Sequence, residues 1–432
     1  MTKKILLFAP AAFDLAETTR MIEIAKGIVH HEAASKIFDI QFISDGGDFE
    51  HLIEEEGFPL ARLEPRLTAE KIEFIAKVDK GEIFAPAFSQ KETTAMVENE
   101  VAYLKKINPA AVITGTYVTI PVSCRVLQIP LVWVIQSTWL PDFFTKGAGM
   151  TDNIKFKPVK QIADRMVLLF INFWIRYGFL NQVNQAARHF GVAGYKSIFD
   201  YWRGDVTLVA EPAEFTGVSL PPNYYYTGPL IARQAFPLPE EIAAIPRDRP
   251  LIYFAMGSSG TPEIVAKIIE SFEGKPYRVI APVKFFLAKV KEVKIPSNVL
   301  VTDWLPAYQV NKMVDLSVIH GGIGTVMTAA YAGKPVVGIG MQPEQDANIA
   351  GLVRKGFAIR VPKSRDPSQK VQEAIEKLIN DPDAKKRAEE FSKVMEKWDG
   401  PRLAAELLLE KFGNEPVSAP TSPRQDRALH AA

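Results

Sequence analysis

The run His320-Gly321-Gly322-Ile323-Gly324-Thr325 directly follows the apolar stretch Leu316 to Ile319 and opens a helical pattern over Val326 to Ala332. Glycines at a strand-to-helix turn let backbone N–H groups close on an anion, and the positive end of the helix dipole favours that anion. The Thr325 hydroxyl and the His320 imidazole N–H add side-chain donors, so the chemistry on offer is the holding of a phosphate or diphosphate. A glycine-rich turn can also serve only to pack helix on strand. Here, however, a second loop, Gly257-Ser258-Ser259-Gly260, ends another apolar run of the same half, and two donor loops on one sheet edge favour a ligand. Neither the GxGxxG spacing of a dinucleotide fold nor a GxxxxGKS/T loop is present, which argues against dehydrogenase and P-loop chemistry.

These loops need strands and helices to aim them. The opening run Ile5 to Ala9 reads as a buried parallel strand. A helical spacing of Met21, Ile24, Ala25, Ile28 and Val29 follows, then a second apolar run, Phe38 to Ser44. The alternation recurs at Ala110 to Thr114, at a Pro-initiated helix from Pro121 to Leu127, and at Leu131 to Ile135. Between Thr227 and Pro250 the chain turns rich in Pro and Gly, as a linker does. The pattern then restarts with Leu251 to Ala255, Tyr277 to Ala281, Val299 to Thr302, Leu316 to Ile319 and Val336 to Ile339 as strands. The fold class expected is α/β, with two doubly wound halves that place ligands beyond the carboxyl ends of their strands. The boundaries fall at 1–228, a linker 229–250, a second domain 251–400, a C-terminal helix 401–412 and a disordered tail 413–432.

Composition narrows the partners. The 432 residues carry 51 Lys+Arg against 50 Asp+Glu, a formal net charge of +1, which argues against a nucleic-acid partner. The single Cys, Cys124, forms no internal disulfide, and the His residues make no HExxH pair, so a cytoplasmic location is expected. The apolar run at the N-terminus is too short for a signal peptide, and Met166 to Ile175 is about half the length of a membrane span. Asp381-Pro382-Asp383 spells DxD but reads as an Asp-Pro helix start, so no catalytic metal is expected.

Trp304-Leu305-Pro306, the glycine motif from His320 to Thr325, Gly333-Lys334-Pro335, and Met341-Gln342-Pro343-Glu344-Gln345 with Asn348 resemble the donor-binding signature of glycosyltransferase family 1. That family contains the UDP-glycosyltransferases and macrolide glycosyltransferases. The resemblance extends to Tyr226-Thr227-Gly228-Pro229-Leu230, similar to the start of their linker, and to Ile252 to Gly260, similar to their strand and phosphate loop. It implies the GT-B fold: two Rossmann-like domains facing a cleft, with the C-terminal helix crossing back to the first. It also implies a nucleotide-diphosphate sugar and a small-molecule acceptor as partners, with no further cofactor. Trp304 would stack on the base. His320, Gly321, Gly322, Gly324 and Thr325 would hold the diphosphate, helped by Ser258, Ser259 and Gly260. Glu344 and Gln345 would read sugar hydroxyls. The Glu that commonly holds the ribose is replaced by Thr328, and the Gln that often follows Trp-x-Pro by Ala307, which leaves UDP and dTDP donors both open.

The acceptor half departs further. Family members often carry a basic His shortly before an Ala-Lys in the first helix. Counting back from Ala25-Lys26 reaches Ala16-Glu17, which makes Glu17 the candidate base and Asp14 the reserve. A buried carboxylate can take a proton from an acceptor hydroxyl. Glu17 equally suits a helix N-terminus as a capping acid. The Asp that would orient a His is also missing, since Gly115 and Thr116 follow the Ala111 to Thr114 run. The reaction expected is an inverting, metal-independent transfer of a hexose from a UDP- or dTDP-sugar to a hydroxyl of an apolar acceptor. The alternatives are a nucleotide-sugar 2-epimerase of the same fold and a noncatalytic nucleotide-sugar binding protein. The stretch Met166 to Phe179 reads first as a core or lid helix and second as an acceptor or membrane-facing surface, which leaves peripheral membrane contact open.

Overall fold

The computed structural model describes residues 2–79, 82–146, 151, 154–233 and 237–414. Most of the tail expected at 413–432 lies outside the described residues, as do 234–236 of the linker.

Short, apolar, β-branched runs bury both faces, and they assemble into two parallel sheets. The first contains β1 (Lys4–Phe8), β2 (Phe38–Ser44), β3 (Leu60–Arg62), β4 (Ala111–Thr114), β5 (Leu131–Ile135), β6 (Val206–Val209) and β7 (Tyr224–Tyr226). Its order is β3-β2-β1-β4-β5-β6-β7. The second contains β8 (Leu251–Ala255), β9 (Arg278–Ala281), β10 (Val299–Val301), β11 (Leu316–Ile319), β12 (Val336–Gly338) and β13 (Ala358–Arg360), in the order β10-β9-β8-β11-β12-β13. Strand order reverses between β1 and β4 and again between β8 and β11, and a doubly wound sheet opens its ligand crevice at such points. In register, Phe8 lies opposite Ile113 and Ala255 opposite Ile319. The loops that leave β1 and β4 therefore emerge side by side, as do those that leave β8 and β11.

The helix Leu15–His30 starts at Asp14, whose carboxylate accepts from the Ala16 amide at 2.8 Å and the Glu17 amide at 3.3 Å. Its inner face, including Met21, Ile24, Ala25 and Ile28, shares one core with Ala404, Ala405 and Leu408 of the C-terminal helix Gly400–Phe412. The two helices cross tightly at Gly27, where a Cβ would lie 2.2 Å from the Pro401 carbonyl oxygen. The C-terminal helix thus crosses back from the second sheet to the first. The Lys4 ammonium donates to the Phe412 carbonyl at 3.2 Å at its far end.

One expectation needs correction. The helix Lys157–Tyr177 buries none of its residues, so it is not a core helix. Beside the neighbouring helices Pro141–Thr145 and Phe179–His189 its apolar stripe stays exposed.

Candidate active site

On the second sheet, β8 runs on into Met256-Gly257 and β11 into His320-Gly321, and the two turns touch. The His320 imidazole is buried between them. A Cβ on Gly257 would lie 2.4 Å from its Cε1, and one on Gly322 would lie 2.6 Å from its Nε2. Gly257 also has φ +51°, so both space and backbone conformation favour glycine there. Burial pushes the His320 pKa down to about 4, opposed by the Ala255 carbonyl. The ring is therefore neutral near pH 7 and can offer an N–H but no charge. Its Nδ1 is buried and makes no hydrogen bond.

The glycine motif continues into the helix Ile323–Tyr331, with Gly322 at its N-cap. A Cβ on Gly321 would strike the Gln345 carbonyl oxygen at 2.6 Å, whereas one on Gly324 would meet nothing within 4 Å. Gly321 is thus a packing glycine and Gly324 faces open space. The Thr325 hydroxyl donates to the Gly322 carbonyl at 2.8 Å, and the Thr328 hydroxyl to the Gly324 carbonyl at 2.6 Å. Thr328 is buried. The Gln345 amide ties the loops together, donating to Ser259 Oγ at 2.9 Å and accepting from the Met341 amide at 3.0 Å. Ser258 is exposed beside it, and Gly260 packs under Phe286, where a Cβ would lie 2.9 Å from Cζ. Trp304, just past β10, is 51% exposed.

On the first sheet, Glu17 is wholly buried in the first turn of its helix. Its Oε1 accepts from the Thr116 amide at 3.1 Å and its Oε2 from the Arg20 guanidinium at 3.2 Å. A Cβ on Gly115 would lie 2.3 Å from Oε2. Burial raises the Glu17 carboxyl to about pKa 7, with Arg20 pulling it down and Asp14 pushing it up. The two acids divide the helix end between them: Asp14 caps the amides, and the Glu17 carboxylate turns away to the loop after β4.

The two halves meet through Glu344, in the first turn of the helix Pro343–Arg354. Its Oε1 accepts from Gln136 Nε2 at 2.5 Å. Burial raises the Glu344 carboxyl, the Gln136 hydrogen bond lowers it, and Asp79, Arg20 and Asp14 all lie within electrostatic reach. Glu344 therefore faces the Glu17 helix across the cleft. Gln136, Arg20 and Thr116 belong to this arrangement but had no motif to mark them. Position supplies the one usable signal: Gln136 follows the fully apolar β5, and a polar residue at the carboxyl end of a buried strand lies where ligands bind. Its turn is fixed by buried Glu211, which accepts from the Ser137 amide at 3.2 Å and from Thr216 Oγ1 at 3.0 Å.

Asp381 caps the helix Pro382–Met395, accepting from the Ala384 amide at 2.8 Å. Among the described residues no group of three or more His, Cys, Asp or Glu is placed to hold a metal ion, and no helix is long and apolar enough to cross a membrane.

Residues 93–401 match the family described as UDP-glucoronosyl and UDP-glucosyl transferase. The chain is 26% identical over 354 residues to a PGL/p-HBAD biosynthesis rhamnosyltransferase of Mycobacterium bovis (strain BCG / Pasteur 1173P2), covering 80% of this chain and 72% of that protein. Among solved structures, the spinosyn forosaminyltransferase SpnP superposes with a TM-score of 0.69 at 14% identity, covering 96% of this chain and 100% of the other. The spinosyn rhamnosyltransferase SpnG complexed with thymidine diphosphate gives a TM-score of 0.63 at 13% identity, covering 95% and 100%. At such identities the likeness shows the fold, which is GT-B.

Proposed function

The chain belongs to the UDP-glucoronosyl and UDP-glucosyl transferase family, and from that premise we propose an inverting, metal-independent transfer of a hexose from a UDP- or dTDP-sugar to a hydroxyl of a small apolar acceptor. The observation that carries the reading is the buried Glu17 carboxyl, with a pKa of about 7, on the cleft-facing turn opposite Glu344. A carboxylate in that range is basic enough to take a proton from a hydroxyl that is attacking.

The step balances with Glu17 as the one proton acceptor. The acceptor O–H proton passes to the Glu17 carboxylate as the acceptor oxygen forms its bond to the anomeric carbon. The bond from that carbon to the diphosphate oxygen breaks, and its electron pair leaves with the nucleotide diphosphate. In this reading the departing charge meets the turn at Gly322 to Thr325, the dipole of the helix Ile323–Tyr331 and the neutral His320 N–H. Trp304 carries the base, and Ser258 and Ser259 reach the phosphates. Glu344, oriented by Gln136, accepts from sugar hydroxyls. Gln345 positions rather than contacts, because its amide already bridges Ser259 and Met341. A thymidine diphosphate complex of a structural neighbour supports keeping dTDP beside UDP as a donor nucleotide.

The test is incubation with labelled UDP- and dTDP-sugars with and without a library of apolar alcohols and phenols. Transfer with inversion at the anomeric carbon is expected. Release of an epimerised sugar would replace the reading with a 2-epimerase, and saturable binding without turnover would replace it with a noncatalytic binding protein.

A further inference from the structure

Nine of the fifteen large exposed hydrophobic side chains among the described residues come from one segment, Phe156 to Tyr177. A scattered exposed Leu means little, but a contiguous apolar surface of this kind marks a docking site. Val159, Ile162, Met166, Phe170, Phe173 and Tyr177 are each between 49% and 64% exposed. At 100° per residue these positions, with Leu169 and Trp174 on the flanks, fall within roughly 140° of the helix circumference. Phe84, 70% exposed, extends the face with an edge-on contact to Trp174 at 5.0 Å.

The charges carried by this segment itself favour an anionic occupant, the nearby Asp142 being paired with Lys146. The exposed charged side chains of residues 154–177 are Lys155, Lys157, Arg165 and Arg176, all cationic. The one acid, Asp164, is largely buried and accepts Lys160 at 3.5 Å. Arg165 and Arg176 border the apolar stripe along one edge. Two copies packed face to face would bring these cations together, whereas an anionic lipid surface complements them. No helix among the described residues is long and apolar enough to cross a bilayer, so this one suits the plane of an interface and not a span.

We propose that the helix Lys157–Tyr177 docks this protein on an anionic lipid bilayer, with Ile162, Met166, Phe170 and Phe173 in the headgroup–acyl boundary and Arg165 and Arg176 on the headgroups. The helix contacts Pro141–Thr145 and Ile198–Tyr201, whose region holds an aromatic cluster in which Trp139 stacks on Trp202 at 4.7 Å and Phe144 lies 5.3 Å from Phe199. Trp139 ends the turn that leaves β5 at Gln136. Docking therefore sets the cleft beside the membrane surface.

The inference stands apart from the transferase reading, because vesicle binding is measured without any nucleotide sugar. The full chain is floated with vesicles of phosphatidylcholine alone and with about one quarter phosphatidylglycerol. Binding to the anionic vesicles is expected, weakened by added salt. Phe170→Glu/Phe173→Glu should lower the bound fraction about tenfold or more, and Arg165→Glu/Arg176→Glu should remove the preference for phosphatidylglycerol. Brominated acyl chains should quench the wild type more than Trp174→Phe. No binding to either vesicle, or binding unchanged in Phe170→Glu/Phe173→Glu, would overturn the proposal. A stable dimer in solution that the same double variant dissolves would also overturn it, assigning the face to a second copy.

Discussion

The carboxylate of Glu17 occupies the space that a side chain at residue 115 would fill: a Cβ on Gly115 would lie 2.3 Å from Oε2 and 2.7 Å from Oε1. The acid at this point of the cleft is thus supplied by the helix after β1, and the loop after β4 makes room for it. Gly115→Ala should push the end of a flexible side chain and little else. Stability is expected to change by less than about 1 kcal/mol while turnover falls about tenfold or more, since a small misplacement of a base is costly. Thermal unfolding and initial rates on the same preparation measure both.

Trp304 stands half exposed at the rim of the second sheet. Trp304→Ala should weaken binding of the free nucleotide diphosphate by about 1–3 kcal/mol, the range for loss of one aromatic platform under a base. Titration calorimetry with UDP and dTDP checks this, and unchanged affinity for both would remove Trp304 from the donor site.

Glu344 is expected to act on the sugar and not on the nucleotide. Glu344→Gln should therefore leave affinity for the free diphosphate nearly intact and weaken the nucleotide sugar by about 1.5–3 kcal/mol, the scale of a hydrogen bond to a charged acceptor. Equal losses for both ligands would instead make Glu344 part of the diphosphate site.

Just past the carboxyl end of β2, Asp45 is buried with an Oδ1 that has no hydrogen-bond partner, and burial together with nearby Glu100 raises its carboxyl from 3.8 to about 8. The folded state holds this proton at pH values where the unfolded chain has lost it. Its contribution is fully present below pH 3.8 and is lost as pH rises through about 8. Asp45→Asn should flatten that decline, stabilising the protein by about 1–3 kcal/mol at alkaline pH and little in acid. Denaturant unfolding on both sides of the titration reads it directly.

β1, β5 and β8 are legible in the sequence because a parallel sheet leaves an unbroken apolar run, and β2 and β11 show through the apolar residues on either side of Asp39, Gln41 and Ser317. β3 and β13 end in an Arg and β7 is three half-buried tyrosines, so they carry no apolar run, whereas the equally short β10 and β12 show through their valines. The glycine motif shows itself because Gly257 and Gly322 must both clear the His320 ring. The pairing of Glu17 with Thr116 and of Gln136 with Glu344 could not be read, since each joins residues far apart in the chain whose meeting is set by sheet order and domain docking. The Met166 to Phe179 stretch misleads for the opposite reason: apolar spacing identifies a helix face but not what lies against it.

The most direct measurement is the pH profile of transfer by the wild type and Glu17→Gln, with nucleotide affinity determined in parallel. The Glu17 carboxyl must be ionised to act, so wild-type kcat/KM should fall as pH drops below about 7. Glu17→Gln should lose turnover by about 100-fold or more at every pH while binding UDP or dTDP normally. Near-wild-type turnover in Glu17→Gln, with the same acidic limb, would contradict the assignment of Glu17 as the base.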